Sequence, residues 1–194
     1  MSKLIDIPLE KLTHEAFAPF GQIVGELPGT PGWARPLLDA WKMTFAIEGK
    51  AELRVMRYHH QALEFHLLER HLAVTESRVP MGGAQAVMVV APPTPVGRPT
   101  KAPDPASLRA FHIDGTVGLM LWRGTWHALD CFPLKPPFAD FAFITEVETE
   151  DEIETSKDPI DGKRTQLVDF QALADTRFRV VDSQGLVDRS TARS

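Results

Sequence analysis

Two short stretches of the chain carry residue types that could do chemistry. The first reads Glu69-Arg70-His71, then four residues to Glu76, then six more to Gly83. In a strand, side chains two apart face the same side, so Glu69 and His71 project together while Arg70 points away. A turn that lays a later strand alongside would carry Glu76 toward the same point. The second stretch is Trp122-Arg123-Gly124-Thr125-Trp126-His127, where Gly124 suits a hairpin that delivers the His127 imidazole into a barrel interior. Glu69, His71, Glu76 and His127 form a mixed nitrogen and oxygen donor set. Such a set suits divalent Mn, Fe, Ni or Zn without choosing among them. The competing expectation is that Glu69 or Glu76 pairs with a neighbouring arginine and no metal binds. Imidazole titrates near neutral pH, so His127 suits either a base or a ligand. His59, His60, His66 and His112 lack ligand spacing and are read as structural.

The elements that must position these residues are strands. Sixteen prolines punctuate the chain, and proline bounds strands and helices because it lacks an amide donor. Between them lie segments rich in β-branched and aromatic residues, at 43–47, 52–58, 84–91, 108–113, 117–122 and 138–147. Many strands at close spacing predict a sandwich or barrel. Helical signals are few. Thr13 suits an N-cap for one short helix ending at Gly21, and 169–174 suits a second. The proline-rich stretch 92–105 reads as an exposed loop. Six carboxylates in the nine positions 146–154 read as a solvated acidic rim. Residues 1–183 are expected to form one domain, and the polar residues 184–194 to fray.

Composition narrows the function classes. At 194 residues, 43% hydrophobic and 24% charged, the chain suits one globular domain. A net charge of −5 gives no support to nucleic-acid binding, which needs a basic face. The lone Cys131 excludes an intrachain disulfide and suits a reducing compartment, so the expected location is the cytoplasm. No cationic neighbour in sequence marks Cys131 as a nucleophile. The apolar run 86–93 is too short to span a bilayer, so no membrane association is expected.

The two stretches resemble the two sequence motifs of the cupins. Glu69 stands where the first motif has its first histidine, and Thr116 and Trp122 replace a glycine and a proline of the second. Leu68-Glu69-Arg70-His71, Val79-Pro80-Met81-Gly82-Gly83, Leu108-Arg109-Ala110-Phe111 and Gly124-Thr125-Trp126-His127-Ala128 are similar to the ureidoglycolate lyase family. So is Ala16-Phe17-Ala18-Pro19-Phe20-Gly21, and the likeness covers roughly residues 4–145. The resemblance implies an all-β double-stranded β-helix with one or two short peripheral helices. It also implies a lyase splitting ureidoglycolate into glyoxylate and urea, with no organic cofactor. His127, Glu69 and His71 would then be catalytic, with Glu69, His71, Glu76 and His127 around a divalent metal. A carboxylate substrate wants a guanidinium fork, for which Arg123, Arg109, Arg78 and Arg70 are the local candidates, with Trp126 and Trp122 flanking them. Strand parity favours Arg123, which would share a face with His127. Two rivals stand beside this reading: a lyase or amidohydrolase on another small hydroxy or amido acid, and a non-catalytic cupin that binds a small metabolite. Barrels with exposed strands commonly pair, so a homodimer is expected.

Overall fold

The computed structural model describes residues 2–25, 27–97, 99–157 and 160–187. The chain runs β1 (Lys3–Lys11), α1 (His14–Phe17), β2 (Gly21–Val24), β3 (Trp33–Arg35), β4 (Leu38–Ala40) and β5 (Ala51–His59). It continues through β6 (Glu64–Phe65), β7 (Leu67–His71), β8 (Glu76–Pro80), β9 (Ala86–Ala91), β10 (Arg109–Ile113) and β11 (Gly118–Leu121). The last third holds β12 (Trp126–Ala128), β13 (Phe132–Pro133), β14 (Phe138–Glu146), α2 (Val147–Thr155), β15 (Thr165–Asp169), α3 (Phe170–Ala174) and β16 (Thr176–Val181).

Two sheets make the barrel. The larger runs β15-β7-β12-β9-β10-β1-β16-β6, and the smaller β2-β11-β8-β14-β5. Most pairs are antiparallel, but β1 lies parallel to both β10 and β16. Strand β9 shows why the larger sheet has a core on each side. Its sequence AVMVVA is apolar throughout and all six residues are buried. Ala86, Met88 and Val90 face the smaller sheet and pack with Phe17, Phe111, Leu119, Leu121 and Phe141. Val87, Val89 and Ala91 face the other way, into a core with Trp126, Phe132, Phe170 and Phe178. The larger sheet rolls over this second core, which β16, β6 and α3 close. This is the all-β cupin barrel expected from the sequence.

Three expectations need correction. The acidic stretch is helix α2 with the residue before it, and several of its carboxylates are anchors. Glu146 is fully buried and accepts hydrogen bonds from the Gly49 amide, the Thr149 hydroxyl (2.6 Å) and Arg164 (2.5 Å). Glu152 accepts from the amides of Lys163, Arg164 and Thr165 at 2.9, 2.8 and 2.6 Å. The expected strand at 43–47 forms no ladder beyond a bridge between Ile47 and Val74, because side chains take its amides: Gln22 binds Thr44 and Thr75 binds Ala46. Of the tail expected to fray, residues 184–187 are held in place. The Asp182 carboxylate accepts from the Leu186 and Val187 amides at 2.9 and 3.0 Å, and both side chains pack on the second core. Residues 188–194 lie outside the described residues. Among the described residues, no helix is long and apolar enough to cross a membrane.

Candidate active site

Strand alternation builds the site. On β7, Leu68 and Arg70 turn to the second core side, which leaves Glu69 and His71 on the inner wall of the barrel. On β12, Trp126 and Ala128 enter that second core, so His127 points inward. The antiparallel register sets His127 directly opposite Glu69. From the facing sheet, β8 brings Glu76 and Arg78, both almost completely buried. Glu69, His71 and His127 each offer one ligand-type atom, all within 4.8 Å of one another. The two imidazole rings are 5.2 Å apart, and the Glu69 carboxylate lies 3.9 Å from each. Glu76 reaches between them, 3.3 Å from His71 Nε2 and 3.4 Å from His127 Nε2.

A hydrogen bond sets the tautomer of His127. His127 Nδ1 is 2.8 Å from the Ala128 carbonyl, which can only accept, so Nδ1 carries the proton and Nε2 presents a lone pair. That Nε2 is buried without a hydrogen-bond partner among the described residues. His71 Nδ1 is 3.1 Å from the Thr165 hydroxyl, which frees its Nε2 to face the same centre. Electrostatics divide the two carboxylates. Burial, with the nearby charge of Glu76, pushes the Glu69 carboxyl up to about 8. Burial also opposes ionisation of Glu76, but Arg78, His71 and His127 outweigh it and hold that carboxyl down at about 2. Burial lowers His127 to about 3, so its imidazole is neutral at physiological pH.

The donor set fits a divalent cation. The unpartnered His127 Nε2, the His71 imidazole and the carboxylate of Glu69 face one another, an arrangement of nitrogen and oxygen donors that a cation satisfies. Two nitrogens with carboxylate oxygen suit Mn, Fe, Ni or Zn. Glu76, the fourth expected ligand, lies beside this group, but Arg78 Nη1 binds its Oε2.

The other expected site residues scatter. Arg78 is inside the barrel, held by Glu76 and by the Tyr58 hydroxyl at 3.4 Å. Arg109 shares the cross-strand row of Val90, His127 and Glu69, yet it is paired with Glu10 and donates to the Ala16 carbonyl at 3.0 Å. Arg123 sits in the turn before β12 and donates to Glu48 at 3.1 Å, while its Nε has no partner among the described residues. Parity does not reach Arg123, because Gly124, at φ 79°, breaks the strand. Trp126 and Arg70 face away from His127, into the second core. Trp122 Nε1 donates to the Ala18 carbonyl at 3.0 Å and sits partly exposed. The sequence reading missed Tyr58 and Thr165. Tyr58 lies on a strand whose alternation could have placed it inward, whereas Thr165 is in a stretch to which the sequence assigned no strand. His66 is bonded to Asp169 at 2.9 Å and His60 to the Pro133 carbonyl at 2.8 Å.

A curled double-sheet barrel with two histidines and a carboxylate converging on its inner wall defines a cupin with a candidate metal site. Sequence comparison makes the assignment specific. A sequence model of the ureidoglycolate lyase family matches residues 4–160, and the chain belongs to that family. It is 35% identical over 132 residues to the ureidoglycolate lyase of Stutzerimonas stutzeri (strain A1501), covering 62% of this chain and 72% of that protein. It is 34% identical over 138 residues to the ureidoglycolate lyase of Pseudomonas syringae pv. syringae (strain B728a), with 66% and 74% covered. With the enzyme of the same name from Azotobacter vinelandii (strain DJ / ATCC BAA-1303), identity is 32% over 130 residues, covering 62% and 74%.

Proposed function

We propose that this chain is a lyase that cleaves ureidoglycolate to glyoxylate and urea, with Glu69, His71 and His127 as its chemical centre. The convergence of these three residues inside the barrel of a ureidoglycolate lyase family member carries the reading. The substrate is a carbinolamide. Its hydroxyl loses a proton, the oxygen electrons close a carbonyl, the carbon–nitrogen bond breaks, and the urea nitrogen takes up a proton. Atoms and charge balance without a redox partner.

Glu69, His71 and His127 would hold the cation, with Glu76 beside them. A bound divalent ion supplies Lewis acidity that polarises a hydroxyl or carboxylate oxygen. The chain's own residues do the rest. His127 Nδ1–H, fixed on the Ala128 carbonyl, keeps Nε2 aimed at the centre. Glu69 is the most exposed of the three, at 12%, and so the first to meet a substrate. Without an ion, its raised carboxyl stays largely protonated near neutral pH and is suited to give that proton to the departing nitrogen and take the hydroxyl proton in its place. Of the arginines expected to bind the substrate carboxylate, Arg123 keeps a spare Nε donor, which supports that role for it. The working form would be a cytoplasmic homodimer with no nucleic-acid or membrane partner. Exposed Leu53 and Val55 on the edge strand β5 support pairing through that side.

The test is glyoxylate and urea release by purified protein, before and after chelation, with His127→Ala in parallel. Activity lost on chelation, restored by one metal and absent in the folded variant is the expected result. Activity that survives chelation moves Glu69 and His71 to acid–base roles alone. No glyoxylate under any metal, or an active folded His127→Ala, overturns the reading.

A further inference from the structure

The reverse side of the wall that carries the site holds an arginine with an unusual set of partners. Arg70 lies between Glu69 and His71 in sequence, points the opposite way and is fully buried. Its Nε and Nη2 both donate to Gln166 Oε1, at 3.0 and 2.6 Å. Its Nη1 donates to the Thr94 carbonyl at 2.6 Å and to the Thr94 hydroxyl at 3.1 Å, and Nη2 also reaches the Pro95 carbonyl at 3.4 Å. Every acceptor is neutral. Burying a guanidinium without a carboxylate is costly, so a hydrophobic side chain would serve better if filling space were the only need.

Geometry shows what the arginine connects. Gln166 is the register partner of Arg70 on β15, as Thr165 is of His71. On the other flank, the pairing of His127 with Glu69 continues to set Trp126 opposite Arg70, and the guanidinium stacks over that indole at 4.6 Å. Trp126 Nε1 donates to the same Thr94 hydroxyl at 3.1 Å. One side chain thus ties together three neighbouring strands and the 92–105 loop. The opposite face of those strands presents Thr165, His71, Glu69 and His127. Gln166 lies beyond the residues that match the family, so this chain supplies part of the brace from its own C-terminal segment.

We propose that Arg70 is a positioning residue: through Gln166, Thr94 and Trp126 it fixes the spacing of β15, β7 and β12, and thereby the separation of Glu69, His71 and His127. This rests on reading those three as a cation centre. Outer residues that orient ligands commonly change metal affinity about 10- to 100-fold when lost.

The experiment titrates chelator-treated full-length protein with Co2+, following its visible absorption, and records side-chain 1H–15N correlations of the histidines without metal. The variants are Arg70→Lys, which keeps the charge but not the fork, and the milder Thr94→Val. Val89→Ala, in the same core but not among the hydrogen-bond or stacking partners of Arg70, is the control for lost stability. Arg70→Lys should bind Co2+ about 10-fold more weakly with an altered spectrum, Thr94→Val less so, and Val89→Ala should match the wild type. The proposal falls if both folded variants keep wild-type affinity and histidine correlations, or if Val89→Ala shifts them equally. If the wild type takes no Co2+, the cation reading fails. The histidine correlations then decide, since a change in the two variants alone upholds the brace and no change overturns it. If Arg70→Lys does not fold, Thr94→Val carries the decision.

Discussion

Replacing Glu146 by glutamine isolates a carboxylate that the sequence presents as surface. Glu146 ends β14 fully buried and joins three parts of the chain: the Gly49 loop, the first turn of α2 through Thr149, and Arg164 before β15. Hydrogen bonds to a charged group contribute about 1.5–3 kcal/mol each. Glutamine keeps one acceptor oxygen but turns an amide toward the Thr149 hydroxyl or Arg164, so the net loss should be about 2–4 kcal/mol. For a chain of this size, that lowers the melting temperature by about 5–15 °C. The pH dependence has a definite sign. Burial opposes the charge, but the bonds from Thr149, Gly49 and Arg164 hold the folded carboxyl below its usual 4.5. Its contribution is therefore complete above that value and is lost as pH falls through the lower folded one. Thermal unfolding followed by circular dichroism at a series of pH values is the assay. The gap between wild type and variant should be constant from about pH 8 to 5 and close below 4.5. A variant that melts within about 2 °C of wild type at pH 7 would show that α2 docks without this anchor.

Two backbone positions and one thiol give further outcomes. Gly124 has φ 79° and room for a Cβ, with Pro93 at 3.6 Å, so Gly124→Ala should cost only the left-handed strain of about 1–2 kcal/mol. Gly115→Ala should destabilise more, because its Cβ would lie 2.4 Å from the Gly83 carbonyl oxygen; equal melting temperatures for the two would refute the comparison. Cys131 is fully buried and its thiol is pushed up to about 12, so the folded protein should resist a thiol reagent at pH 8 and react fully in denaturant. Rapid labelling of the native protein would contradict that burial.

The parts of the fold most legible in the sequence were those where one physical rule dominates. Apolar β9, aromatic β14 and the alternation of Glu69 and His71 followed from burial and the two-residue period of a strand. Trp126 and His127 show the same rule from its other side: adjacent residues on one strand serve opposite cores, so a site that takes one cannot take both. What stayed illegible depended on distant partners. The carboxylates of α2 look solvated until the amides of 163–165 and the arginines at 54 and 164 are brought to them. Strands β15 and β16 were not assigned from sequence although Asp161-Gly162 marks a turn before β15, because their pairing needed β7 and β1 as neighbours. For the same reason the Thr165 hydroxyl on His71 could not be read from spacing.

The parallel pairing of β1 with β16 has a consequence for how the molecule comes into being. Residues 3–8 align with 176–181, so the first strand made waits for one of the last. Throughout synthesis, that stretch of β1 has one edge without its native neighbour. The wall bearing the histidines can form earlier, but the sheet that rolls over the second core closes only when residue 181 has emerged. Contacts this far apart in sequence make assembly slow and leave strand edges exposed meanwhile. A chain cut short near residue 170 would keep every member of the candidate site and still lack the strand that closes the roll behind it.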